Sequence, residues 1–239
     1  FVIEDDKAEF GNPNLKPLES SNFDLGIEHF MGQAGTVSAF LFYKDIKNFV
    51  YNNDLAGSGE WVDFTEAHSY ANGDSAKLYG LELAYSQKFD WLPSPWNGLI
   101  LGANSTFSRS NASIKGVDAA TGASLKRDID LPNQSKTVGN LMLGWEDDKL
   151  SLRLSANYKS DYLYELAGVN DKAHDTYVDA QTFVDFSARY SLTKNLQLKF
   201  DAQNLTDQPY FMYSGNSRFN NQYEEYGPTY SLGLTYTHF

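Results

Sequence analysis

The side chains in this sequence best suited to chemistry are flat rings set among amides. Tyr51, Trp61, Phe64 and Tyr70 lie in one long polar stretch, and Tyr162, Tyr164 and Tyr177 in a second. Phe211, Tyr213, Phe219, Tyr223 and Tyr226 lie in a third, beside Asn216, Arg218, Asn220, Asn221 and Gln222. Aromatic faces stack, tyrosine adds a polar tip, and amides with a guanidinium supply directed hydrogen bonds. The combination suits a sugar, whose C–H faces stack while its hydroxyls are bonded, and it also suits an aromatic iron chelate. The expected ligand-binding residues are Trp61, Tyr70, Tyr162, Tyr164, Phe211, Tyr213, Arg218, Asn220 and Tyr223. The competing role for each is packing one loop against another, because a ligand touches only a few of the groups lining its site.

Nothing in the sequence points to making or breaking bonds. His29, His68, His174 and His238 are scattered without metal-ligand spacing. Asp5-Asp6, Asp128-Ile129-Asp130 and Glu224-Glu225 are acidic, but the glycine of a calcium-binding loop is missing, so they read as solvated charge. There is no nucleophile elbow, phosphate-binding loop or dinucleotide fingerprint. No catalytic residue, metal site or cofactor is expected. Lys and Arg total 19 against 31 Asp and Glu, a net charge of -12, and no basic run interrupts the balance. Nucleic acid is therefore an unsuitable partner, since phosphates need clustered cations. The chain has no cysteine, so there is no disulfide framework.

The frame that carries these rings is read from a period of two. Leu150, Leu152, Leu154, Ala156 and Tyr158 alternate with Ser151, Arg153, Ser155, Asn157 and Lys159. Leu196 to Gln203 repeats the pattern. Tyr79, Leu81, Leu83 and Tyr85 oppose Gly80, Glu82, Ala84 and Ser86, and Tyr230, Leu232, Leu234 and Tyr236 oppose Ser231, Gly233, Thr235 and Thr237. A strand sends successive side chains to opposite faces, so each segment has one greasy and one wet face. A tyrosine at each end of an apolar middle is the profile of a strand crossing lipid between two aromatic girdles. Tyrosine and phenylalanine, 16 of each, are abundant enough for that role. No apolar run approaches the roughly 18 residues of a membrane-spanning helix.

About nine such strands are expected, near 22–31, 36–46, 76–89, 97–109, 135–146, 150–160, 180–191, 195–205 and 229–239. The connections alternate. Gly32 to Gly35, Asp90 to Trp96, Asp147 to Lys149 and Thr193-Lys194 are short, while Lys47 to Ser75, Ser110 to Gln134, Asp161 to Asp179 and Thr206 to Pro228 are long and read as structureless. Compact soluble domains rarely carry several such loops, whereas outer-membrane barrels pair short periplasmic turns with long outer loops. The polar faces would line a lumen, with Arg153, Lys159, Lys199 and Asp201 turned toward whatever fills it. The fold class is all-β, an antiparallel transmembrane β-barrel that is only part present. Alone, the sheet would leave two raw edges and a greasy outer face, so residues 1–239 are not expected to fold in isolation.

Asn12-Pro13-Asn14-Leu15-Lys16-Pro17-Leu18-Glu19-Ser20 resembles a segment of TonB-dependent receptors that leads into a descending barrel strand. Leu18 stands where that family usually has Glu, with Glu19 one place later. Phe42-Tyr43-Lys44-Asp45-Ile46, Tyr79-Gly80-Leu81-Glu82 and Gln203-Asn204-Leu205-Thr206-Asp207 are similar to further family motifs, and the end Leu234 to Phe239 is aromatic-rich, with shifted spacing. The resemblance covers the whole chain. It implies residues 1–239 as the carboxy-terminal portion of a barrel of roughly 22 strands, in the outer membrane of a Gram-negative bacterium. It also implies energised import of a scarce nutrient, with no bond broken in the ligand. The implied partners are the TonB complex, acting through an amino-terminal plug, the remaining strands of the barrel, outer-membrane lipid and a small extracellular ligand. Tyr226-Gly227-Pro228-Thr229-Tyr230-Ser231-Leu232-Gly233 is similar to a branch linked to carbohydrate uptake. The expected ligand is thus an oligosaccharide first and an iron–siderophore complex second. A passive porin-like barrel and a secreted lectin-like β-sandwich are the readings from other classes.

Overall fold

Alternating side chains can be satisfied only by a sheet whose two faces meet different surroundings, and the computed structural model shows such a sheet. It describes residues 2–32, 35–57, 59–117, 123–169 and 171–238. Gln33 and Ala34 of the expected first turn, residues 118–122 of the second long connection, and the terminal Phe1 and Phe239 lie outside the described residues. The strands in chain order are β1 (Val2–Glu4), β2 (Lys7–Glu9), β3 (Glu19–Phe30), β4 (Gly35–Lys47), β5 (Val50–Asp54), β6 (Glu66–Asn72), β7 (Ser75–Lys88), β8 (Leu99–Val117) and β9 (Ser124–Ile129). They continue with β10 (Thr137–Glu146), β11 (Leu150–Lys159), β12 (Tyr162–Glu165), β13 (Thr176–Val178), β14 (Gln181–Ser191), β15 (Leu196–Gln203), β16 (Tyr210–Ser214), β17 (Asn220–Glu224) and β18 (Thr229–Tyr236).

The main sheet runs β18-β15-β14-β11-β10-β8-β7-β4-β3, with β9 paired to β8 beside this path. Its neighbours are antiparallel throughout. These nine strands fall on the nine expected segments. Most ends shift by up to three residues, as where the strand expected over 22–31 begins at Glu19 and that expected over 229–239 stops at Tyr236, and one strand is much longer: that expected over 97–109 runs on to Val117. β8 is prolonged because β9 supplies backbone partners from Ala112 to Val117.

The register aligns the greasy positions. Leu25, Leu41, Leu81, Phe107 and Thr137 form one cross-strand row, and Phe23, Tyr43, Tyr79 and Arg109 form the next row up. Phe23, Leu25, Leu41, Leu143, Leu154, Tyr230 and Leu232 are all exposed, Leu232 by 73%. Isolated exposed leucines are ordinary, but a continuous face of them is not. No second layer covers this face among the described residues, which excludes the β-sandwich reading. Every residue of β3 and of β18 is exposed, as befits strands paired on one side only.

Short turns close one end of the sheet. Asp147 Oδ1 accepts hydrogen bonds from the backbone of Lys149 (2.8 Å) and Leu150 (2.7 Å), so the side chain itself closes the turn. These two bonds to the charged form hold the Asp147 carboxyl below the usual carboxylate range. Trp145 Nε1 donates to the Pro95 carbonyl at 2.8 Å, pinning an indole at the same end.

The long connections are not structureless, contrary to expectation. They carry two further four-stranded sheets, β1-β2-β6-β5 and β12-β13-β16-β17, and the β8–β9 extension. Their core is made with the inward side of β4, β7 and β8. Ile46, Ala76, Ala112 and Ile129 form a row across four strands, and Phe49, Tyr51, Leu78, Ile114, Leu163 and Leu166 pack with them. The segments avoid an exposed, unpaired backbone by bonding to one another over long sequence distances, which short local patterns do not reveal.

Candidate functional site

The aromatic residues singled out above are divided between the two small sheets. In β12-β13-β16-β17, Tyr177 lies opposite Tyr213, and their rings stack at 5.5 Å with planes 11° apart. Phe211, two residues before Tyr213 and so on the same face, lies 5.9 Å from it and meets the Tyr223 ring edge-on at 6.2 Å. Asn220 pairs with Tyr213 across the β16–β17 hairpin, whose turn contains the exposed Arg218. Seven of the nine expected residues thus share one sheet. They do not share one face: Tyr162 aligns with Val178 and Met212, on the side opposite Tyr177 and Tyr213, and Lys159 Nζ sits 3.9 Å above the Tyr162 ring.

Trp61 and Tyr70 belong to the other small sheet and its turn. Trp61 stacks on Phe10 at 4.4 Å and meets Phe64 edge-on at 5.0 Å, so much of its face is occupied within the loop. Tyr70 stands exposed on β6, and its carbonyl accepts a hydrogen bond from Asn12.

The phenols of the stacked face are held protonated. Burial pushes Tyr177 and Tyr213 above the ordinary tyrosine range, with nearby carboxylates adding to the effect. Tyr223 is raised by its hydrogen bond to Glu225. A protonated phenol is a hydrogen-bond donor, and the Tyr223 hydroxyl already donates to Glu225 at 2.7 Å. Such phenols are poorly suited to bind a bare metal ion as phenolates.

Sequence reasoning missed the polar contacts that lock these sheets together. Arg127 on β9 makes a two-pronged pair with Asp175, whose side chain is fully buried, and Arg127 Nη1 also donates to the Gly168 carbonyl at 2.8 Å. The Ala167 backbone donates to the same carboxylate at 3.3 Å. Burial raises the Asp175 carboxyl above its ordinary value, and Arg127 pulls it back without cancelling the shift. The partners are 48 residues apart, so no local spacing could announce them. His68 Nδ1 approaches Glu165 at 3.0 Å, linking β6 to β12, and Asn53 forms a parallel bridge with Leu166. A cleft of about 310 Å³ lies there, lined by Asp54, Glu66, His68, Glu165, His174 and Asn221. Among the described residues, no three such side chains are arranged to hold a metal ion.

The motif residues close turns. Asn204 and Asp207 adopt left-handed backbone, φ 54° and 50°. Asn204 Oδ1 accepts from the Gln208 backbone at 2.8 Å, and its own N–H donates to Asp185 at 2.9 Å, fastening the end of β15 to β14. Asn72 reaches back to bond both the N–H and the carbonyl of Lys16, holding the proline-rich segment before β3 in place. On the lumen face, Lys199 pairs with Asp201 at 2.8 Å.

Comparison with known proteins bears on this arrangement. The family described as TonB dependent receptor-like, beta-barrel, matches residues 5–205. The chain is 28% identical over 236 residues to an iron-regulated outer membrane virulence protein of Vibrio cholerae, covering 94% of this chain and 32% of that protein. It is 25% identical over 210 residues to a vitamin B12 transporter of Photobacterium profundum, covering 84% of this chain and 28% of that one. A crystal structure of a siderophore receptor from Acinetobacter baumannii superposes with a TM-score of 0.62 at 18% identity, covering 91% of this chain and 28% of that chain, a likeness of fold. The chain spans about a third of the length of these relatives.

Proposed function

This chain belongs to the TonB-dependent receptor β-barrel family, and we propose that it is the carboxy-terminal part of an outer-membrane receptor importing a chelated iron complex. The observation that carries the ligand class is the cluster of ring faces formed by Tyr177, Tyr213, Phe211 and Tyr223. Protonated phenols and ring faces suit a chelator's own aromatic or oxygen-rich shell, which brings its iron already coordinated. The names of the relatives support iron ahead of sugar: one is iron-regulated and another is a siderophore receptor. The oligosaccharide expected first from the closing motif therefore gives way to the second candidate.

Import in this reading draws on TonB through a plug that the remainder of the protein supplies. The unpaired edges of β3 and β18 are completed by the other strands of the same barrel, and the leucine face meets outer-membrane lipid. The receptor acts in the outer membrane of a Gram-negative bacterium. Tyr164, Arg218 and Asn220 belong to the same sheet and its hairpin turn, whereas Tyr162 lies on the other side of that sheet and Trp61 and Tyr70 lie in the neighbouring sheet and its turn.

The test uses the full-length receptor in its own organism. Deleting the gene should abolish growth only under iron limitation with a ferric siderophore as the iron source. Tyr213→Ala should weaken binding of that chelate by roughly tenfold or more, as for a central aromatic anchor. Normal iron uptake combined with lost growth on one oligosaccharide would overturn the ligand class.

A further inference from the structure

We propose that the outward face of β4, β7, β8 and β10 carries a seat for an acylated, phosphate-bearing lipid of the outer leaflet, with Arg109 as the phosphate anchor. The inference rests on reading that face as lipid-facing. Leu41, Tyr79, Leu81 and Phe107 wall a groove of about 470 Å³, and Arg109 and Lys136 stand at its lip. The register puts Arg109 beside Tyr79, one row above the Leu41–Leu81–Phe107 row, so the cation lies on the outer-loop side of the apolar trough.

The other charges near the lip are already matched or opposed. Lys136 pairs with Asp130 at 2.7 Å, Lys115 pairs with Asp74 at 2.9 Å, and Lys77 lies opposite Asp45 in the register. Arg109 is exposed and has no ion-pair partner among the described residues. A guanidinium cannot shed its charge. At the edge of a hydrocarbon layer it is satisfied by water, reached by snorkelling, or by an anion. Its planar fork bonds phosphate through two parallel N–H donors, and the groove below accepts an acyl chain. A cation stacked directly over an apolar trough fits an amphiphile with an anionic head. A soluble anion would leave the trough empty, and a neutral lipid would leave Arg109 unmatched.

The experiment places the full-length receptor in nanodiscs of phosphatidylcholine doped with either bisphosphorylated or dephosphorylated lipid A, and native mass spectrometry counts retained molecules. The wild type should retain the phosphorylated form about fivefold better, the usual scale for one cation near an anionic lipid surface. Arg109→Gln should remove that preference, Arg109→Lys, which keeps the charge but not the fork, should keep only part of it, and Leu81→Trp, which fills the trough, should lower retention of both forms. Lys194→Gln, in a turn at the opposite end, should change nothing; a heat-induced shift in gel mobility confirms that each variant is folded. Equal retention of the two lipids by the wild type, or unchanged retention by Arg109→Gln, would show that Arg109 merely reaches water and would overturn the seat. A receptor that does not enter nanodiscs at all would overturn the lipid-facing reading, and the seat with it.

Discussion

β7 and β8 each pass through two regions, and the same alternation means opposite things in them. In the lower region Leu81, Leu83, Ala103 and Phe107 point outward, while Glu82, Asn104 and Thr106 point inward. Above the Tyr79–Arg109 row the phase reverses. Lys77, Asn111 and Lys115 point outward, and Ala76, Leu78, Ala112 and Ile114 point inward into a buried core. The strands do not break between the two, so the solvent has changed while the geometry has not. Below, hydrocarbon lies outside and a wet lumen inside; above, water lies outside and the folded loops inside. Hydrophobicity in a strand reports which side is dry, and that side can switch partway along one element.

Several perturbations would test that contrast. The largest effect is expected in the upper region from Arg127→Ala, which strands the buried Asp175 carboxylate and should cost about 3–5 kcal/mol locally. Hydrogen exchange should then speed up across β9 and β13 while β10 and β11 keep their protection. Replacing both partners with Met and Leu should restore most of the loss, as an apolar pair needs no compensation. In the lower region, Leu83→Arg should cost about 2–4 kcal/mol of barrel stability measured by denaturant titration in lipid. Lys77→Leu, on the same face but above the boundary, should leave that stability nearly unchanged. An equal cost at both positions would mean that the phase reversal does not mark the edge of the membrane.

A smaller loss, roughly 1–3 kcal/mol, is expected from Asn204→Ala, which gives up the Gln208 bond and must hold a left-handed backbone without the asparagine side chain. The smallest effect lies at the short-turn end. The Asp147 pKa is lowered from 3.8, so its contribution is complete above that value and disappears as pH falls through the lower folded midpoint. An NMR titration of this carboxyl should find its midpoint under 3.8. Asp147→Asn should flatten the acid dependence and slightly lower stability at neutral pH, where the carboxylate's contribution is present.

The lower region was legible in the sequence, because a nine-strand ladder joined by short turns repeats its signal and Leu150 to Lys159 needs nothing distant to be understood. The upper region was not. β13 has three residues, too few to show a period, and it pairs with β16 near position 214. β2 pairs with β6 in parallel, Lys7 beside Glu66, an arrangement no turn signature announces. The candidate binding residues were half legible for the same reason. Aromatic enrichment picked out Phe211, Tyr213 and Tyr223, but which rings share a face follows from pairings made across some forty residues of chain. Trp61 read as a ligand contact, and its stacking on Phe10 became visible only once β2 lay beside β6.

The Asn53–Leu166 bridge, the His68–Glu165 contact and the Arg127–Asp175 pair fasten together segments from three separate excursions. Exchanging the excursion that carries Glu165, Leu166 and Asp175 for its counterpart in a related receptor would leave half of each fastening without its mate, and exchanging either of the others would break the fastenings it shares with that one. Altered ligand choice in this lineage should therefore be inherited, or grafted, as a matched trio.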